Sequence, residues 1–331
     1  MTVEKYAADA GGIVVMDPNT GAIIAMAAVP NFNPGERQRD ILALPNPLIE
    51  RVFEMGSVVK PLTLAAGIDA GVINAHTTYN DTGSVVLNNR TIMNHDKKAR
   101  GVVDMQEVIN NSLNTGAVFV MQKMGKTNFK KYMLSYGFGE KTGIDLPGEV
   151  AGLVSNLKSP REIEYATAAF GQGIALTPIG ITRAFAVLAN GGKLVQPHVV
   201  KEVRYELGTK KIIKPKIIKS GILKRESTEE ITKILIKAVD EALLGGTVSL
   251  PNYSVAAKTG TAQMSDGRGH YFEDQYLHSF FGYYPAYHPR FITFMYMVNP
   301  KGAGFSSDTL THPFMDTAKF LLNYYEVPPD R

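Results

Sequence analysis

Phe53-Glu-Met-Gly-Ser-Val-Val-Lys60-Pro-Leu-Thr-Leu-Ala-Ala-Gly67 decides how this chain is read. The stretch begins as a turn and continues as an apolar helix. Ser57 then stands at the helix start, with Lys60 three residues on along the same face. Three effects converge on the Ser57 hydroxyl. The lysine amine is a base for it if burial or a nearby cation lowers the lysine pKa. The helix N-terminus adds positive potential and unpaired backbone N–H groups. Those groups suit the oxyanion that forms when a hydroxyl attacks a carbonyl. Ser57 is therefore the candidate nucleophile.

Working outward, 331 residues with 44% hydrophobic and 20% charged side chains describe one large globular domain, or one domain with a big insertion. The net charge of +4 is too mild to indicate nucleic acid. The chain has no cysteine, which excludes disulfides, thiolate catalysis and cysteine metal sites. No apolar run approaches the roughly 20 residues that span a membrane, and residues 1–20 lack a signal-peptide core. If the native protein is anchored or exported, the expectation is that its anchor lies upstream of Met1.

Residues 12–17 and 22–28 read as a β-hairpin turning at Pro18-Asn-Thr-Gly21, followed by a polar loop from Val29 to Pro47. The Ser57 helix runs to about Ala70, with Gly71 as its stop. Residues 72–225 read as mainly helical. Asp104 with Glu107 opens a helix that breaks at Asn110–Thr115, and Thr127 caps 128–136. Ser159, Pro160 and Glu162 open another to about Phe170, and Thr177-Pro178 opens one ending at Gly191-Gly192. Residues 199–219 suggest a small exposed hairpin around Gly208, and Ser227-x-x-Glu230 a capping box before a helix to about Leu244. Three β-rich runs (253–263, 277–285, 291–299) and a helix near 312–325 close the chain. The expected fold class is α/β. One antiparallel sheet of about five strands comes from both chain ends, flanked by helices, with a large helical insertion. The expected boundaries are an α/β subdomain of 1–71 and 226–331 and a mainly helical subdomain of 72–225.

Ser-x-x-Lys alone is a weak signal, and a second copy stands at Ser155-Asn-Leu-Lys158. That copy reads as loop, with no helix to align serine and lysine, and is set aside. Ser112-Leu-Asn114 sits at the helix–helix break, where a hydroxyl and an amide can both face a cleft; a plain cap cluster is the competing reading. Lys258-Thr259-Gly260-Thr261 lies in the strand-like Val255–Gln263, where glycine marks close approach of a ligand or backbone. A strand edge there can pair with an extended peptide. Lys141-Thr-Gly143 repeats the triplet in a loop before Pro147 and is also set aside.

The ordered trio resembles the S-x-x-K, S-D-N and K-T-G set of penicillin-binding proteins and serine β-lactamases. The chain is most similar to penicillin-binding protein transpeptidase domains of class B, the division type. Further stretches that carry the resemblance are Gly12–Asp17 with Gly21–Met26, Phe138–Glu149, Gly171–Pro178 and His278–Pro285. The resemblance implies acylation of Ser57 by the penultimate D-Ala carbonyl of a peptidoglycan stem peptide, with release of terminal D-Ala. Lys60 is implied as general base, Ser112 as proton relay to the leaving group, and Asn114 as partner of the substrate amide. Lys258 is implied to tune the Lys60–Ser112 pair. Thr259 and Thr261, beside Gly260, are implied to hold the terminal carboxylate, or that of a β-lactam. The backbone N–H groups of Ser57 and Thr261 are implied as the oxyanion hole. No cofactor is implied. The implied setting is the outer face of the bacterial cytoplasmic membrane, with a membrane glycosyltransferase of the division machinery as partner.

Several residues depart from the family pattern. Leu113 replaces the aspartate of the second motif, Ala257 stands where glycine usually precedes the lysine and adds a methyl next to the cleft, and Gly302–Ser307 replaces a Tyr-Gly-Gly pattern. No Glu-x-x-x-Asn follows Ser112; four residues after Glu149 stands Leu153. Without a carboxylate to activate water, transfer to an amine is favoured over hydrolysis. The alternatives carried forward are a D,D-carboxypeptidase, a class D-like β-lactamase, and a β-lactam sensor without turnover.

Other signals are weaker. Gly125-Lys-Thr127 lacks the glycine a P-loop needs at position 120, and the seven histidines show no metal spacing. The basic run of Lys210, Lys211, Lys214, Lys216, Lys219, Lys224 and Arg225 reads as a solvated hairpin face, with contact to anionic wall polymer or lipid headgroups as the sharper alternative. His95–Arg100, just before the second motif, has a comparable choice between solvated surface and cleft rim.

Overall fold

The computed structural model describes residues 2–31, 33, 45–267 and 269–331. Most of the expected loop between Val29 and Pro47 lies outside the described residues. Strands β1 (Ala10–Met16) and β2 (Ile23–Val29) form the expected hairpin. From the other end of the chain come β3 (Ala256–Ser265), β4 (Tyr271–Tyr284) and β5 (Phe291–Val298). They make one five-stranded sheet in the order β3-β4-β5-β1-β2, every neighbouring pair antiparallel. All eight residues of β5 are buried, because both faces of the sheet are covered. Successive side chains show it: Phe280 stacks on Phe314 of helix α6 (Ser306–Tyr324), whereas Phe281 stacks on Phe185 of helix α4 (Pro178–Ala189). Among the described residues β3 is an outer strand of the sheet, paired there only with β4.

Helix α1 (Lys60–Asp69) is buried at every residue from Lys60 to Ile68, as a helix apolar all round must be. It packs against α3 (Asn114–Ser135) and α5 (Arg225–Lys237), so it is the central post of the molecule. One hydrophobic cluster runs from Val14 and Phe294 of the sheet through Leu62 and Leu64 to Phe129 and Met133. A second fills the layer between the sheet and α6.

Several expectations are corrected. The start of the middle region is not helical: Thr78–Asp81, Ser84–Leu87, Arg90–Met93 and Gly101–Asp104 form two small antiparallel pairs before helix α2 (Met105–Asn110). These four-residue strands are too short to show a period. Ser159 does not cap the next helix, which begins at Glu162 after Arg161. Ser227 and Glu230 form no capping box. Helix α5 starts two residues earlier, Ser227 Oγ donates to Asp69, and Glu230 accepts from the N–H of Ala75. Helix α6 starts six residues before the expected 312, with Pro313 inside it. The α3 helix is interrupted at Gly125. Two other cap expectations agree with the geometry: Asp104 accepts from the N–H of Glu107, and Thr177 from that of Gly180, whereas Thr127 lies inside α3, past the interruption at Gly125, rather than at a helix start. The basic hairpin, Glu202–Arg204 with Lys210–Ile212, has its lysines in solvent.

Candidate active site

The nucleophile turn is held from three sides before any chemistry is considered. Phe53 exchanges two backbone hydrogen bonds with Leu176, each 2.9 Å, and the N–H of Gly56 donates to Gly171 O at 3.1 Å. Gly56 has φ +65°, and a Cβ there would lie 2.9 Å from Ala262 Cβ and 3.2 Å from Thr261 O. Only glycine both adopts that turn and lets the third motif approach so closely. The chain then enters a short 3-10 turn, Gly56–Val59, that continues into α1. Ser57 keeps partial access to solvent, while Lys60 is fully buried. Proline after Lys60 costs nothing here, since the first-turn N–H groups have no partner within the helix.

Lys60 gathers the first two motifs. Its Nζ donates to Ser57 Oγ at 2.9 Å, to Ser112 O at 2.5 Å and to Ser112 Oγ at 3.1 Å. Ser112 reaches this position because it occupies the left-handed break between α2 and α3, with φ +52°. That conformation costs a non-glycine residue roughly 1–3 kcal/mol and turns both the Ser112 carbonyl and hydroxyl toward the lysine. Asn114, the first residue of α3, donates from Nδ2 to Met93 O at 2.8 Å. Behind it lies a hub that the sequence reading missed. Buried Asp81 accepts from Asn94 Nδ2, Gly83 N and Thr115 Oγ1, and Asn94 Oδ1 accepts from Thr115 N. The small strands of 78–104 thus fix the start of α3.

The third motif closes the other side. Lys258 and Gly260 face the nucleophile turn: a Cβ on Gly260 would lie 2.5 Å from Ser279 Oγ, 2.9 Å from Val58 and 3.0 Å from Met55 O. Ser279 pins the pieces together, donating to Met55 O at 3.0 Å and to Gly260 O at 3.3 Å. Lys258 Nζ donates to Thr259 O at 3.0 Å and makes no hydrogen bond to Lys60 or Ser112. Its influence on Lys60 is through charge. Thr261 Oγ1 accepts from the N–H of Ser306 at 3.0 Å. The methyl of Ala257 does not reach the cleft: Ala257 is buried beside Phe280 and Phe314 on the opposite face of the strand.

The electrostatics follow from burial. The Lys60 amine is pushed well below the ordinary lysine value, first by loss of water and second by the charge of Lys258. Burial brings Lys258 down to about 8. His95 is also held low, first by burial; the charges of Lys60, Arg100 and Lys258 add to this, and Asp96 opposes it. Its ring meets Phe305 edge-on at 5.7 Å, so the loop before the second motif touches the loop after β5. No carboxylate bonds to Ser57, Lys60 or Ser112 among the described residues. Glu149 is committed to the Lys141–Gly143 loop, where it accepts from Thr142 and Gly143. Among the described residues no three His, Cys, Asp or Glu side chains converge to hold a metal. The two decoys separate cleanly from the site. Ser155–Lys158 is a 3-10 turn rather than the expected loop, yet both its serine and lysine are exposed. Lys141-Thr-Gly143 lies in a loop.

The comparisons bear on the family and the fold. A family model described as the penicillin binding protein transpeptidase domain matches residues 11–316. The chain is 33% identical over 317 residues to stage V sporulation protein D of Bacillus subtilis, covering 94% of this chain and 48% of that protein. It is 29% identical over 329 residues to penicillin-binding protein PbpB of Mycobacterium tuberculosis, covering 95% of this chain and 48% of that one. It spans about half the length of the curated relatives it matches. Among solved structures, penicillin binding protein 3 of Mycobacterium tuberculosis complexed with aztreonam superposes with a TM-score of 0.90 at 27% identity, over all of this chain and 76% of that one. A match running through all three motifs, on a fold that superposes from end to end, leaves one assignment: the chain belongs to the penicillin binding protein transpeptidase domain family.

Proposed function

We propose that this chain is a serine D,D-transpeptidase that cross-links peptidoglycan stem peptides through an acyl-enzyme at Ser57 and is acylated by β-lactams. The observation that carries the reading is the Lys60 amine. It is buried, depressed in pKa and without a carboxylate partner, at hydrogen-bond distance from both Ser57 Oγ and Ser112 Oγ. A neutral amine there accepts the Ser57 proton as Oγ attacks the penultimate D-Ala carbonyl. The resulting oxyanion is met by the backbone N–H groups of Ser57, in the first helical turn, and Thr261, on the sheet edge. Collapse breaks the peptide bond, and the leaving D-Ala amine takes its proton through Ser112. The amine of a second stem peptide then attacks the ester, gives up a proton and restores the Ser57 hydroxyl. Asn114 bonds the substrate amide. Lys258 with the hydroxyls of Thr259 and Thr261 receives the terminal carboxylate, and Gly260 lets the nucleophile turn lie close against this strand.

In this reading the cleft lies between an α/β subdomain (1–71 and 226–331) and a mainly helical subdomain (72–225). The resemblance of the motifs carries the further proposal of a division-type protein at the outer face of the cytoplasmic membrane, working with a membrane glycosyltransferase; the relatives' printed names, peptidoglycan D,D-transpeptidase FtsI homolog and penicillin-binding protein PbpB, support its transpeptidase part. No helix among the described residues is long and apolar enough to cross a membrane.

A labelled penicillin tests the site. It should acylate the wild type and leave Ser57→Ala unlabelled; label retained by Ser57→Ala overturns the assignment. A stable adduct with turnover of stem peptide onto an amine supports transpeptidation. Rapid loss of label to water points to a β-lactamase, release of D-Ala without transfer to a carboxypeptidase, and a stable adduct without peptide turnover to a sensor.

A further inference from the structure

We infer that Ser306 is a positioning residue for the substrate's carboxylate, acting through its backbone N–H on the hydroxyl of Thr261. The inference rests on the reading that Thr261 receives that carboxylate. Ser306 is the first residue of α6, a 19-residue helix whose N-cap, Phe305, makes no side-chain cap bond. The N–H groups of a first helical turn have no acceptor within the helix. Here the acceptor comes from another element: Ser306 N donates to Thr261 Oγ1 at 3.0 Å.

This bond decides what Thr261 can offer. A hydroxyl has one hydrogen and two lone pairs, whereas a carboxylate has only acceptors. An unheld threonine can turn a lone pair toward the carboxylate and repel it. With one lone pair taken by the Ser306 N–H, the hydrogen must point away from α6. Thr261 has no other side-chain hydrogen bond among the described residues. Its proton is therefore left for a ligand, set before binding rather than after.

The donor itself is held rigidly. Ser306 is fully buried and its Oγ donates to Ser279 O at 2.6 Å. Ser279 in turn ties Met55, two residues before the nucleophile, to Gly260. Thr309 Oγ1 donates to Ser306 O at 3.4 Å, and His278 Nδ1 lies 2.9 Å from Thr309 Oγ1. His278 is the cross-strand partner of Thr261. The start of α6 is thus referenced both to the nucleophile turn and to the third motif.

The N–H can be removed selectively. Proline is well tolerated at the first position of a helix. Phe305, at φ −134° and ψ 150°, already has the extended conformation required before proline. Ser306→Pro therefore deletes the N–H, while Ser306→Ala keeps it; both lose the Oγ bond to Ser279. The measurement is the second-order acylation rate of this chain by a penicillin, divided by the rate with the methyl ester of the same penicillin. Ser306→Pro should lower this ratio about tenfold relative to Ser306→Ala, the scale of one charged hydrogen bond. Thr261→Val should lower it at least as far. Equal ratios in Ser306→Pro and Ser306→Ala, with a fall in Thr261→Val, overturn the inference and leave the reading of Thr261 standing. No fall in Thr261→Val overturns that reading as well. If circular dichroism shows that the proline variant does not fold, the α-hydroxy acid analogue of serine at position 306 replaces the N–H with an ester oxygen and keeps Oγ. The same tenfold fall is required of it.

Discussion

The charge of Lys258 lowers the proton affinity of Lys60, but Lys60 exerts no matching effect on Lys258. The asymmetry has a simple origin in the order of titration. Lys60 is the more depressed amine and loses its proton first. By the pH near 8 at which Lys258 titrates, Lys60 is neutral and repels nothing. Between the two titrations the site thus holds one free amine and one ammonium, a base beside Ser57 and a cation beside the strand edge.

The pH dependence of acylation follows. The rate should rise with pH as Lys60 deprotonates and fall around pH 8 as Lys258 loses its charge, giving a bell. Lys258→Gln removes the repulsion on Lys60, so the acidic limb should move to higher pH and the basic limb should disappear. The check is labelled-penicillin acylation from pH 5 to 10. An acidic limb that stays in place in Lys258→Gln means that Lys258 does not tune the base.

The same burial costs stability. In the fold Lys258 titrates near 8 against 10.5 in the unfolded chain, so between those values the unfolded state binds more protons. Stability therefore rises with pH across that window and is lowest, from this group, below 8. The deficit at neutral pH is about 3 kcal/mol at 1.36 kcal/mol per unit. Lys258→Met should stabilise the protein in urea unfolding at pH 7 by up to that amount, with the gain shrinking toward pH 10.5, while acylation drops. Equal stability of the two proteins at pH 7 would sink the argument. The trade of stability for a charged site is common at active sites.

The main sheet was legible because β1, β2, β4 and β5 are dense in β-branched and aromatic residues and come from the chain's two ends. The motifs were legible because three signals, each weak alone, stand in order along the chain: Ser57 with Lys60, Ser112 with Asn114, and Lys258 with Gly260. Residues 78–104 were not legible, since strands of four residues cannot show alternation and their register is set by contacts with α3. Ser227 and Glu230 matched a capping box locally, but tertiary partners at Asp69 and Ala75 claimed both side chains. Ala257 was misplaced for another reason. Which strand face looks into the cleft is decided by the twist and cover of the sheet, which one sequence does not state.

Gly56 offers a direct test of the nucleophile turn. Alanine there must hold φ +65° and press its Cβ to 2.9 Å from Ala262 Cβ and 3.2 Å from Thr261 O. A non-glycine in that region costs roughly 1–3 kcal/mol, and the contact would push the third motif off Ser57. Gly56→Ala should lose about that much stability in urea and at least tenfold in penicillin acylation, a loss consistent with an angstrom-scale misplacement. Retention of both would show that the turn is not held as described.

His278 sets the acid side of the stability profile. It is fully buried, its Nδ1 meets Thr309, and its Nε2 has no partner among the described residues. Burial lowers its pKa to about 4 against 6.5 in the unfolded chain, although the charge of Asp308 opposes this. Between those values the unfolded state binds the extra proton, so stability falls as pH drops from 6.5 toward 4. The loss reaches about 3 kcal/mol at 1.36 kcal/mol per unit. His278→Asn keeps a polar atom near Thr309 and has nothing to protonate. Carboxylates also titrate in this window, so the informative quantity is the difference between the two proteins. Urea unfolding at pH 4.5 and pH 7 should show a smaller pH-dependent loss in His278→Asn. Identical losses in the two proteins would assign the acid sensitivity to carboxylates instead.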